Sequence, residues 1–391
     1  MNQAWVRRLL PLAATIVTAC APAARAPAPV TPPPPPPPPA RAVIGAILPQ
    51  SGSPALQQYG ELVLQGVRLA LDSGTARWTN PPQLVVLDDA GDAERDAALL
   101  GQLERQRAVA VIGPLLSAGV ASAARARADT ALAVVSPTAS SLAPGLRNTY
   151  SLNQPDAEGF AALGRFAART GIARVALLYP RIPESTGQAQ AFAAALRAAG
   201  GTVVADVPYD SGTNTFKAEL KRVADANPDG LFVPAPERDV RQLAPQISYY
   251  GVSARNLRIL GGPAWTSDEI LRLVSARYTN GVIAVTPLLR ESPAAGWQEF
   301  ARLYEGTYKR TLDTPFPALG YDAARLVLLG LSRTQPRRAD IAHRLAGLQA
   351  FRGATGVLAA RAGTIVREPF IVRIDAGKLV PLETPITQAA P

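Results

Sequence analysis

The sequence holds one cysteine, one histidine and one methionine in 391 residues. A single cysteine, Cys20, excludes a disulfide within the chain and any thiolate metal cluster. The single histidine, His343, lies in the helical stretch ADIAHRLAGL and reads as a helix-face residue rather than a ligand. A Ser-His-acid triad would have to use it, and the chain has no G-x-S-x-G elbow. It has no P-loop and no G-x-G-x-x-G behind a strand. These absences point away from an enzyme, a bound metal or a cofactor. The bases are scattered Arg, without a Lys/Arg run or interleaved aromatics, so no nucleic-acid platform is expected. Charged residues make up only 18% of the chain against 48% hydrophobic ones, which marks a globular protein. At 391 residues it is too long for one ordinary core, so two domains are expected.

The longest message at the N-terminus is also a shortage. Leu9–Ala19 is apolar but too short, and broken by Pro11, to cross a bilayer as a mature helix. Behind Arg7 and Arg8 it fits an export signal over residues 1–20. The ending Val17-Thr-Ala-Cys20 resembles a bacterial lipobox, which implies that Cys20 becomes an acylated N-terminus. A plain secretory signal with Cys20 incidental is the other reading. Loss of Arg7 and Arg8 leaves 38 basic against 30 acidic residues, a balance of +8, which suits an anionic surface or polymer nearby. Residues 21–42 form a Pro-rich linker with Pro32–Pro39 consecutive. Proline fixes φ and lacks an N–H, so this stretch is extended. At about 3.1 Å per residue its eight prolines stand off roughly 25 Å, a natural tether from a membrane.

The rest of the chain is organised around residues 111–140. Ala108–Gly113 and Leu132–Val135 read as buried parallel strands, with an Ala-rich helix over Ser117–Asp129 between them. Hydroxyls stand at the carboxyl ends of both strands, where open α/β sheets bind ligands against helix N-termini. Ser117, Thr138 and Ser140 can there hold a small anion such as a carboxylate. Alternatively, Ser117 and Ser140 are ordinary helix N-caps. Strands alternating with helices of 10–15 residues continue to residue 286, which means parallel sheets covered on both faces. The helix after Asp92 is expected to be capped by Asp89 and Asp92. TGVLAA, PFIVRI and KLVPL read as terminal antiparallel strands.

In order and spacing, IGAILPQSG with QQYGELVLQGVRLAL (44–71), VVLDDAGD (85–92), VIGPLLS (111–117), VVSPTAS (134–140), ALGYDAARLVL (318–328) and FRGATGVLAA (351–360) resemble the type I periplasmic binding proteins of the leucine/isoleucine/valine-binding protein family. The resemblance covers about residues 43–381. It implies an α/β protein of two doubly wound parallel-sheet lobes, with a hinge of three connections and an interlobe cleft. Lobe 1 is expected over 43–152 plus 285–350, and lobe 2 over 153–284 plus 351–385. Carried over residue by residue, the family's carboxylate-binding hydroxyls fall on Ser117 and Ser140. Its backbone contact falls on Thr138 and its first-lobe aromatic on Tyr59. The second-lobe aromatic falls near Thr186-Gly187 and is missing. The positions that hold a ligand's ammonium fall near Val233-Pro234 and Gly262-Pro263, which offer no side-chain acceptor. Glu184, Glu237 and Asp268 are possible substitutes, with solvent-facing or helix-capping roles as the alternative. The expected function is an extracytoplasmic, lipid-anchored solute-binding protein that takes a small carboxylate-bearing, amino-acid-like ligand and serves an ABC permease. SLNQPDAEGF, LLYPRIPESTGQAQAF and the stretch from DGLFVPAPERD to GGPAWTSDEIL also look like a lipoprotein branch similar to activators of penicillin-binding proteins. There the expected partner is a cell-wall synthase.

Overall fold

The structure is a computed structural model, and it describes residues 41–153, 157–250, 257–289, 295–361 and 363–383. The leader, Cys20 and the Pro-rich linker lie outside the described residues. The first sheet contains β1 (Val43–Leu48), β2 (Gln83–Asp88), β3 (Ala108–Ile112), β4 (Ala133–Ser136) and β5 (Thr149–Ser151). Its order is β2-β1-β3-β4-β5, and every neighbouring pair is parallel. The crossovers run through α1 (Pro54–Thr75), α2 (Ala93–Arg105) and α3 (Ser117–Ala126). The near-continuous apolar runs of β3 and β4 are buried along their length, as a sheet covered on both faces requires.

Helix α1 starts at Pro54, five residues before Tyr59. Ser53 caps it by accepting from Leu56 N at 3.4 Å, and Pro54 at the first helical position needs no N–H. Asp92 caps α2, accepting from Glu94 N at 2.9 Å. Asp89 instead closes a tight turn, accepting from Gly91 N at 2.8 Å.

The second sheet is built from α4 (Ala157–Arg169), β6 (Arg174–Pro180), α5 (Pro183–Ala198), β7 (Thr202–Tyr209), α6 (Lys217–Asp225), β8 (Gly230–Val233), α7 (Glu237–Tyr249), β9 (Arg258–Gly261), a 3₁₀ turn at Pro263–Thr266, α8 (Asp268–Leu273), α9 (Ala276–Thr279) and β10 (Ile283–Thr286). It is completed by β14 (Phe370–Asp375) and β15 (Lys378–Glu383), in the order β15-β14-β10-β9-β8-β6-β7. The last two strands run antiparallel. Trp265 is fully buried and its indole N–H donates to Val233 O at 3.1 Å, so it is a packing residue. Tyr249 is 81% exposed, edge-on to Tyr250.

After β10 come α10 (Ala295–Tyr308), α11 (Phe316–Gly330) and α12 (Arg338–Ala346), then β11 (Phe351–Gly353), β12 (Gly356–Arg361) and β13 (Thr364–Arg367). These three strands form an antiparallel sheet of their own. Expected with lobe 2, they pack with lobe 1: Phe351, Leu358 and Ile365 enter the core formed by the first sheet, α1, α10 and α11. Only 370–383 join the second sheet. The chain therefore passes between lobes after β5, after β10 and after β13, three connections in all. His343 is exposed on α12, as a helix-face residue should be.

Candidate functional site: the interlobe cleft

The carboxyl ends of β3 and β4 are pinned together by hydroxyls. Ser136 Oγ donates to Pro114 O at 2.6 Å and accepts from Ala139 N at 3.1 Å. Thr138 Oγ1 donates to Leu115 O at 3.0 Å, and Ser117 Oγ accepts from Ser141 N at 3.1 Å. Ser151 Oγ donates to Ala139 O, and the Asn153 amide donates to Thr138 O at 3.3 Å. Neither expected cap is one: Leu116 is the N-cap of α3, and Ser140 lies in coil behind β4. Tyr59, on α1, packs edge-on against Phe316 at 4.5 Å. Burial raises its phenol above the ordinary pKa, and the Thr138 hydroxyl opposes the shift.

A cavity of about 300 Å³ opens between the lobes. Lobe 1 contributes Ser140, with Asn153 at the first crossing. Lobe 2 contributes Phe160 from α4, Ile182, Glu184 and Gln188 at the start of α5, and Pro236 and Pro263 from the ends of β8 and β9. Pro287, Arg367 and Pro369 line it from the other two crossings. A mostly apolar wall with a few convergent polar groups is the usual make-up of a small-molecule site. Of Tyr59, Ser117, Thr138 and Ser140, Ser140 alone reaches this wall. Thr138 is buried with its hydrogen committed to Leu115 O, and Ser117 holds the loop at Ser141. They support the loop that presents Ser140.

At the amine end, Gly262 and Pro263 do line the cleft and offer no acceptor side chain. Val233 is buried inside β8, and the wall there is Ala235-Pro236. Glu184 is on the wall, in the first turn of α5, accepting from Gln188 Nε2 at 3.3 Å. Glu237 and Asp268 sit in the first turns of α7 and α8, outside the cavity lining, where a carboxylate favours the helix dipole.

Two motifs meet beside the cleft. Asp322, from ALGYD on α11, is fully buried and accepts from Ala354 N (2.7 Å), Thr355 N (2.8 Å) and Thr355 Oγ1 (2.6 Å). Gly353 allows this approach, because a Cβ there would stand 2.4 Å from Asp322 Oδ2. Thr355 Oγ1 in turn accepts from Arg367 Nε at 3.2 Å. Arg367 is only 7% exposed, and its Nη2 is buried with no hydrogen-bond partner. Burial lowers its pKa to about 10, with Asp322 working against the shift, so it stays protonated at neutral pH. Sequence reasoning missed this residue, although a signal existed. Alternation along β13 puts Arg367 on the same face as buried Ile365. A charge on the buried face of a strand is rare unless it has a task.

The periplasmic binding protein family model matches residues 42–378. The Leu/Ile/Val-binding protein BraC3 of Rhizobium johnstonii is 26% identical over 235 residues, covering 58% of this chain and 62% of that protein. The match thus spans about three fifths of that relative's length. Among solved structures, a candidate branched-chain amino acid ABC transporter of Rhodospirillum rubrum superposes with a TM-score of 0.77 at 22% identity, covering 88% of this chain and all of the other. A solute binding protein of an ABC transporter from Rhodopseudomonas palustris, in complex with 3,4-dihydroxy benzoic acid, gives 0.60 at 18% identity over 88% of this chain and 96% of the other. These structures share the two-lobed α/β fold described above. With its family model matched from β1 into β15, the chain belongs to the periplasmic binding proteins.

Proposed function

We propose that this chain is a lipid-anchored extracytoplasmic solute-binding protein that takes a small carboxylate-bearing molecule between its lobes for an ABC permease. The observation that carries the reading is the interlobe cavity, with Ser140 and Asn153 on one side and an apolar wall from lobe 2 on the other. The two relatives support it through what their ligands have in common. One is a Leu/Ile/Val-binding protein and the other holds a benzoic acid, so a carboxylate is shared and an amine is not. The replacement of amine-holding side chains by Gly262 and Pro263 fits a site built around the carboxylate. Cys20 carries the anchor, and the Pro-rich stretch is the tether.

A second reading, a regulator of a cell-wall synthase, draws on the same replacement, since apolar residues and prolines at the cleft mouth also suit a protein contact. In-cell crosslinking and pull-down from the membrane fraction separates the two. Recovery of an ABC permease without a cell-wall synthase is expected, and the converse result overturns the transport reading. Cys20→Ala is expected to lose the membrane fraction, and its retention there would refute the anchor.

A further inference from the structure

We infer that Arg367 is the anion anchor of the interlobe cleft, and that the molecule it seats is a monocarboxylate with an apolar body. The inference rests on the capture reading and deepens it. Arg367 ends β13, three residues before Phe370 begins β14, so it stands in the third crossing between the lobes. It lines the cavity, is more than nine-tenths buried, and holds a buried Nη2 that no side chain or carbonyl accepts from. A buried cationic donor without an acceptor is destabilising, so an anion that supplies the acceptor is a net gain.

The surroundings orient the guanidinium without using it up. Its Nε is spent on Thr355 Oγ1, and that hydroxyl's own hydrogen is spent on Asp322. Asp322 accepts from three donors and reaches Arg367 through Thr355. One edge of the guanidinium is thereby fixed, on a side chain that lines the cavity and whose Nη2 has no acceptor in the protein. A planar fork so held matches a carboxylate, and it gives up little freedom on binding. Phe160, Ile182 and Pro263 across the cavity offer apolar surface to the rest of the molecule. Glu184, the carboxylate on the wall, opposes a second negative charge. The hydroxyl of Ser140 then becomes a supplementary donor.

The test is calorimetric titration of the purified protein with benzoate, L-leucine and phthalate as probes, on the wild type, Arg367→Lys and Arg367→Gln. Circular dichroism and melting confirm that each variant folds. Arg367→Lys keeps a positive charge beside Thr355 and Asp322, so it remains informative even if Arg367→Gln does not fold. At least one monocarboxylate is expected to bind the wild type, to bind Arg367→Lys at least tenfold more weakly, and to outcompete phthalate by a similar factor. Equal binding to wild type and Arg367→Lys overturns the anchor and leaves capture standing. Phthalate binding as tightly as benzoate overturns the monocarboxylate preference. Failure of all three probes to bind the folded wild type counts against capture itself, and the anchor falls with it.

Discussion

Single residues divide here by what their polar atoms are committed to. Ser136, Thr138 and Ser151 spend their hydroxyls inside lobe 1, while Arg367, on the cleft wall, keeps a buried Nη2 that no group accepts from. The sequence showed that hydroxyls cluster at the ends of β3 and β4. It did not show which of them turn inward, because that depends on loop carbonyls at Pro114, Leu115 and Ala139 that only the fold brings close. Asp96 is another residue whose behaviour follows from burial. It is buried on α2, its Oδ1 has no hydrogen-bond partner, and Gly119 of α3 leaves room for its Oδ2. Burial first, then Asp89 and Asp92, raise its pKa to about 7. The folded protein thus holds this proton more tightly than the unfolded chain, whose Asp titrates near 3.9. The stabilisation is complete below about pH 4 and is lost as pH rises through about 7. Asp96→Asn mimics the protonated carboxyl. Urea denaturation at pH 8.5 is expected to show the variant about 2–4 kcal/mol more stable than wild type. The difference should shrink toward zero at pH 4. An equal difference at both pH values would rule out the titration.

At the scale of elements, the alternation of strands and helices was legible almost throughout, because each apolar run and each cap carries its own local signal. The assignment of β11–β13 was not. β13 and β14 are separated only by Glu368-Pro369, and the sequence reading places terminal strands at TGVLAA, PFIVRI and KLVPL with none over 364–367, so nothing local says that the chain changes lobes there. What decides it is packing, with Phe351, Leu358 and Ile365 entering the first core. That core depends on a close helix crossing. A Cβ at Gly320 of α11 would stand 2.2 Å from Val63 O, and one at Gly66 of α1 would stand 1.8 Å from Pro317 O. Gly320→Ala forces the helices apart and should cost about 1–3 kcal/mol, read by denaturant unfolding. Gly306→Ala, on α10 with open space around it, is the control. It should be neutral or stabilising by about 0.5–1 kcal/mol, the helix preference of Ala over Gly. Equal effects at the two positions would contradict the close crossing.

The whole molecule combines two lobes, three crossings and a cleft lined from both sides. Ser140 and Asn153 come from the first lobe and its exit, and Glu184 and Pro263 from the second. Arg367 stands on a crossing itself. A molecule held by both sides stabilises the folded protein by mass action, about 2.7 kcal/mol at a hundred times Kd. The most direct measurement is therefore a thermal-shift screen of the purified protein against amino acids and small monocarboxylic acids. At least one of them is predicted to raise Tm by about 5 °C at saturating concentration, a rise that Ser140→Ala diminishes. A cooperative melt that no member of the panel moves would contradict capture between the lobes.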